Sequence, residues 1–199
     1  MRKITLAELR LLSEQARPRL EEIAGRIGRP VKIYIHWTTG PYNLLSPDYH
    51  VNVGQDGTLF VSTDDLNEYK LHTRHRNGGA VAVCAACGKG AWGENLGSDP
   101  PTNEQIETIA QAVAVLADAL VVPIDAEHVM THAEAADNLD RCVSRNKLYG
   151  PRSAGTCWDF WLTKPGDDPG SGGDTLRGKA LWYQHHSSGG SCPEVEVYS

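Results

Sequence analysis

Two histidines in this chain each close an apolar run. "KIYIHWTTG" (32–40) carries one into His36 and then turns away through two threonines and a glycine, and "EHVMTHAEAAD" (127–137) carries another into His132. Neutral imidazole is the commonest protein ligand for metal ions. Side chains at strand ends project into the crevice where α/β folds place their sites. If the two strands are neighbours, both rings can converge on one ion. A catalytic zinc takes three protein ligands and keeps a further position open for water, so a carboxylate or a thiolate has to complete the set. Asp137, Asp140, Cys142, Cys157 and Asp159 lie downstream, and spacing does not choose among them. The chemistry of such a centre is hydrolysis by a metal-activated water.

Other chemistry-bearing residues have plainer readings. Glu134 stands two residues past His132, and on an extended segment it would share that face and approach the metal as a general base. Cys84 and Cys87 in "CAAC" have redox or metal spacing, but they end a buried strand, where residues three apart point to opposite faces, so they read as core cysteines. His185 and His186 in "WYQHHSSGG" are adjacent and point apart, in surroundings that suggest a solvated loop. "GTCW" around Cys157 suggests a cysteine hydrolase, which needs a downstream His and Asn; no Asn follows Asn146.

The elements that must position these groups follow from periodicity. Leu9, Leu12, Ala16, Leu20, Ile23 and Ile27 mark one helix face, with Pro18 expected to kink or split it and Gly28 and Pro30 to stop it. "VKIYIH" (31–36) is a strand, "YHVNVGQDGTLFVS" (49–62) a hairpin about Asp56-Gly57, and "GGAVAVCAAC" a further buried strand. Thr102-x-x-Gln105 is a capping box that opens a helix with Ile106, Ile109, Val113, Leu116 and Leu120 on its buried stripe. "EHVMTH" is a last short strand. Beyond it we expect irregular chain with a helical piece at "CWDFWLT" (157–163) and a loop or tail from "HHSSGG" onward. This order gives an α/β (α+β) single domain, a central mixed β-sheet flanked by helices.

Composition narrows the function. The chain has 199 residues, 40% hydrophobic and 22% charged, which describes an ordinary globular protein. A net charge of −6 argues against nucleic acid as the main partner. No window approaches the ~20 apolar residues of a membrane span, so stable membrane insertion is not expected. The first residues form an amphipathic helix and not a signal peptide, and five cysteines do not suggest a disulfide framework. Synthesis and folding in the cytoplasm are expected.

Several stretches, in order, resemble the zinc-dependent N-acetylmuramoyl-L-alanine amidases, whose fold is shared by peptidoglycan recognition proteins, short phage amidase-lysozymes and anhydromuramyl-peptide amidases. "IYIHWTT" resembles the first ligand strand, "PDYHVNVGQDGTLF" the Tyr-His strand and hairpin, and "LHTRHRNGGAVAVC" the segment with a pocket histidine and an asparagine. "PPTNEQIETIAQAVAVLADAL" resembles the long helix, and "VMTHAEAAD" with a later "WDFW" the second ligand strand and a subgroup of phages and prophages. The resemblance divides the chain into an N-terminal helical segment (1–30) packing on the domain, an amidase domain (31–163) and a C-terminal extension (164–199).

It implies zinc held by His36, His132 and Asp159, with Cys157 as the rival third ligand. Tyr49 and Glu134 would be the catalytic set, and His72 and Asn77 would meet substrate. In the family an acid at the place of Glu134 supports the ligand loop, which favours that role over proton transfer. The family often carries Lys or Arg two positions before the last ligand to stabilise the oxyanion; Cys157 stands there in this chain. The implied partner is bacterial peptidoglycan, cleaved between N-acetylmuramic acid and L-alanine. Acting on the wall in the periplasm would depend on a holin or a secretion machine, as for an endolysin, a tail lysin or an injected effector. Some proteins of this fold only bind peptidoglycan, which is the non-catalytic alternative.

Overall fold

Continuous apolar runs, rather than alternating ones, belong to strands covered on both faces, and the centre of this molecule is made of two of them. A computed structural model describes residues 1–187. Strands β2 (Lys32–Trp37) and β5 (Ala80–Ala85) are buried at every position and lie parallel, with Lys32 opposite Ala80 and Trp37 opposite Ala85. On the other side of β2 runs β6 (Val129–Thr131), also parallel, with Ile35 opposite Thr131. Strand β3 (Val51–Val53) is parallel to β5 and turns antiparallel into β4 (Leu59–Val61), and β1 (Arg2–Lys3) adds an edge strand that is too short to have a sequence pattern. The order is β1-β4-β3-β5-β2-β6, a mixed sheet in an α+β domain. At the hairpin Gly57 takes φ +78°, and a Cβ there would come within 2.7 Å of the Thr108 hydroxyl.

Helices α1 (Leu6–Arg26), α2 (Asn103–Leu120) and α4 (Gly172–Ser187) share one core with the odd-numbered residues of the central strands: Ile33, Ile35, Val81 and Val83 pack with Leu9, Leu20, Ile109, Leu116 and Leu176. The capping box expected from the sequence at Thr102 forms, and the structure adds one at Thr5. Thr102 and Gln105 cap α2, and the Gln105 amide also donates to the carbonyls of Val53 and Ala86, so the cap fastens helix to sheet. Thr5 and Glu8 cap α1 in the same way. The expected break at Pro18 does not occur. Pro18 lies on the exposed side of α1, where water can satisfy the carbonyl it strands, while Ala16 and Leu20 on the other side stay seated in the core.

Two further expectations are corrected. Residues 157–163 form turns, not a helix, with Phe160 at φ +54°. His185 and His186 belong to α4 instead of a loop; the rest of that expected tail lies outside the described residues. Among the described residues no helix is long and apolar enough to cross a membrane.

The even-numbered residues of β2 face the other side of the sheet, because side chains alternate along a strand. Lys32 begins that face, fully buried. Its ammonium donates to Asp140 Oδ2 at 2.7 Å and to the Glu127 carbonyl, while Arg76, 1% exposed, donates to the same Asp140 oxygen at 2.6 Å and to Asn138. The cluster ties the loops at 72–79 and 137–143 to the foot of β2. Burial opposes the charge on Asp140, but the hydrogen bonds from Arg76 and Lys32 outweigh it and hold the carboxyl below the ordinary carboxylate range. A carboxyl whose folded pKa is depressed stabilises the fold above its unfolded value of about 3.9 and loses that contribution as pH falls through the folded value. Asp140→Asn should therefore destabilise the protein at pH 7 by about 3–5 kcal/mol. In urea unfolding across a pH series, the gap to wild type should narrow only below about pH 4.

Candidate metal centre

The register that sets β6 beside β2 puts their carboxyl ends together. β6 ends at Thr131 and His132 opens the short helix α3 (His132–Ala136), so the ring of His132 comes to 4.6 Å, centroid to centroid, from that of His36. The third group arrives from the turn-rich segment after residue 150. The Ala133 N–H donates to the Asp159 carbonyl, and the Phe160 ring packs 5.4 Å from Trp37 of β2, so Asp159 is held from both sides. Asp159 Oδ2 lies 3.2 Å from His132 Nδ1 and 3.5 Å from His36 Nδ1. One ligand atom from each of His36, His132 and Asp159 falls within 4.8 Å of the others.

What surrounds the three groups fits a divalent cation. Among the described residues the buried His36 Nδ1 has no hydrogen-bond partner. The outward nitrogens are tethered: His132 Nε2 meets the Tyr149 hydroxyl at 2.9 Å and His36 Nε2 meets Thr73 Oγ1 at 3.2 Å. Burial pushes His36 down to about 4, so its ring is neutral and offers a lone pair at pH 7. Burial works against ionised Asp159, yet the imidazoles of His132 and His36 outweigh it and keep the carboxylate charged. Two imidazoles and a carboxylate are a donor set that suits zinc, and ligand histidines commonly give their second N–H to an outer acceptor. If Nδ1 of His36 ligates, its proton sits on Nε2 and is donated to Thr73. The Thr73 hydroxyl is then free to donate to His72 Nδ1 at 2.9 Å, which leaves His72 with an Nε2–H that no group among the described residues accepts.

The other candidates fall into distinct places. The Tyr49 ring sits 4.9 Å from His36, and burial, with Cys84 and Asp159 nearby, holds its phenol protonated. His72 is buried 5.3 Å from the His36 ring. Asn77 uses its carbonyl oxygen to accept from the N–H groups of His72 and Thr73, so it shapes the loop that carries both. Glu134 does not stand on an extended segment. It is the third residue of α3's capping box with Thr131, and Arg177 of α4 grips its carboxylate at 2.8 Å through both nitrogens. Asp137 accepts from Arg152 and Ser153, Asp140 belongs to Lys32 and Arg76, and Cys142 is exposed, so these three lie outside the group. Cys157 is buried with its sulfur 3.9 Å from Asp159 Oδ1, and burial raises its thiol pKa. Cys84 lies opposite His36 in the register whereas Cys87 joins the helix-side core, the two faces that their spacing requires. Thr73, Tyr149 and Arg177 carried no sequence signal, since each acts through a contact with a distant segment.

No protein-family model matches the chain, and no curated protein does. Among solved structures it is similar to the endolysin N-acetylmuramoyl-L-alanine amidase LysCS of Clostridium intestinale URNW, at TM-score 0.38 and 16% identity over 52% of this chain and 68% of that one. It is likewise similar to the N-acetylmuramoyl-L-alanine amidase LysC from the same organism, at TM-score 0.37 and 16% identity over 52% and 70%. At that identity and score the likeness decides neither the activity nor the role of any residue.

The thiol environments make a direct prediction. Only deprotonated thiols react quickly with alkylating reagents. In the folded protein Cys142 is accessible, though partial burial and Asp140 raise its thiol pKa. It should be modified slowly but ahead of the buried Cys84, Cys87 and Cys157, which should resist until denaturant is added. Peptide mapping after timed alkylation distinguishes the sites.

Proposed function

We propose that this chain is a zinc-dependent N-acetylmuramoyl-L-alanine amidase that cleaves bacterial peptidoglycan between N-acetylmuramic acid and the L-alanine of the stem peptide. The observation that carries this reading is the convergence of His36, His132 and Asp159, each with its ligand atom turned inward and both outer imidazole nitrogens engaged by hydroxyls. The family resemblance of the stretches around them supplies the substrate.

An amide is a weak electrophile and water a weak nucleophile at neutral pH. Zinc bound at this centre supplies Lewis acidity toward the carbonyl and lowers the pKa of water to about 7. The protein's own groups then orient and stabilise. Tyr49, protonated beside His36, is a hydrogen-bond donor for the developing oxyanion. His72 presents its N–H toward substrate from a loop fixed by Asn77. Both are neutral donors, which suits a chain with Cys157 where relatives of this type often carry a cation. Glu134, engaged by Arg177 and the Thr131 N–H, supports the histidine and takes no proton from water. On this reading the chain would act on the wall from the periplasm, as an endolysin released through a holin lesion, a tail lysin or an injected effector.

Two alternatives are disfavoured by particular observations. A pure binding module needs no ligand set, and here three groups able to hold a metal converge. A cysteine hydrolase needs a thiol next to an imidazole, whereas Cys157 faces a carboxylate and stays protonated.

Digestion of purified sacculi, followed by mass spectrometry, should release stem peptides beginning with L-alanine and leave glycan chains intact. A chelator should stop the release and added zinc restore it. Asp159→Ala should abolish it, while Cys157→Ala should keep activity within about tenfold of wild type. Release that survives chelation but stops with a thiol blocker would transfer the chemistry to Cys157. Retained binding without any release would make the protein a recognition module.

A further inference from the structure

Helix α4 lies beyond the stretch that resembles the amidases, yet its first turn touches both segments that carry the late ligands. Arg177 is buried, 6% exposed, and donates to the Val129 carbonyl, to Glu134 Oε2 and to Glu134 Oε1, at 2.9, 2.8 and 2.8 Å. Glu134 in turn accepts the N–H of Thr131, the residue just before His132. One guanidinium thus ties the first residue of β6 to the first turn of α3, with His132 placed between the two contacts. On the other side the Gly172 N–H reaches the Trp161 carbonyl, and Gly172 lies against the Phe160 carbonyl, next to Asp159.

Two glycines make the approach feasible. A Cβ on Gly172 would come within 2.0 Å of the Phe160 carbonyl oxygen, and a Cβ on Gly173 within 2.1 Å of Glu134 Oε1. Neither Gly172 nor Gly173 has a positive φ, so what they supply is room for α4 to close on the two segments. A buried ion pair is a poor stabiliser compared with apolar packing. Its use here is geometric, because a planar fork holds a carboxylate in one orientation.

We infer that α4 is a working part of the metal centre, with Arg177 a positioning residue that sets His132 against Asp159 through Glu134, and Gly173 the residue that admits it. The inference rests on the reading of His36, His132 and Asp159 as metal ligands. It assigns to the C-terminal helix a role that the ligand motifs do not contain.

The test is zinc affinity of the full chain, measured by competition with a chromophoric chelator, alongside circular dichroism and melting of the metal-free forms. Arg177→Ala and Gly173→Ala should bind zinc roughly 10- to 100-fold more weakly than wild type, and Arg177→Lys, which keeps charge but loses the fork, should fall between. Lys179→Ala removes a contact of the same helix to Glu107, away from Glu134, and should bind zinc as wild type does. Should Arg177→Ala fail to fold, Gly173→Ala decides by the same readout, since alanine suits a helix better than glycine does. Folded variants at both positions with wild-type affinity would overturn the inference, as would an equal loss in Lys179→Ala, which would mean general loosening of α4. A wild-type protein that takes up no zinc would instead overturn the metal reading itself, before any variant is compared.

Discussion

Three polar groups turned toward one another beneath the protein surface must be held in one geometry. The Nδ1 atoms of His36 and His132 and the carboxylate of Asp159 lie within 4.8 Å of one another, with His36 and Asp159 buried and His132 half-buried, so little water is left to satisfy them. Such an arrangement persists only if the surrounding structure fixes each group from behind. The local architecture can be read as the answer to that constraint. Thr73 and Tyr149 hold the outer edges of the rings, the Ala133 N–H holds the backbone of Asp159, and the capping box of α3 holds the backbone that carries His132.

The sheet makes this feasible by dividing its two faces. One face is apolar and packs against α1, α2 and α4. The other takes the polar load: Lys32, Tyr34, His36, His50 and Cys84 are all buried. Buried polar groups need partners or they cost stability, and the loops over this face supply them. Lys32 and Arg76 share Asp140, and His50 bridges the Ala82 N–H and the Glu68 carbonyl. Such ion pairs contribute little net stability relative to apolar packing; they confine long loops to one arrangement over the face that carries His36.

Much of this was legible in the residues. Continuous β-branched and apolar runs marked β2 and β5, Asp56-Gly57 marked the hairpin, and Thr102 with Gln105 marked the start of α2, because each signal is local and its physics acts within a few residues. The unusual placement of His36 and His132 at strand ends was visible in the same way.

Residue spacing did not choose Asp159 from five downstream candidates, which only the family resemblance singled out, and it showed neither the partner of Glu134 nor the helical state of the chain after Gly172. Glu134 would share a face with His132 on an extended segment; the capping box at Thr131 makes it a helix and sends the carboxylate to Arg177. The turns at 157–163 obey contacts with Ala133 and Trp37, not their own propensity. The sequence by itself determined the elements and the two imidazoles, since those follow from short-range periodicity and residue chemistry. Which acid completes the site, and what holds it there, was decided by tertiary packing, because contacts 27 to 43 residues apart in the chain leave no local pattern to read.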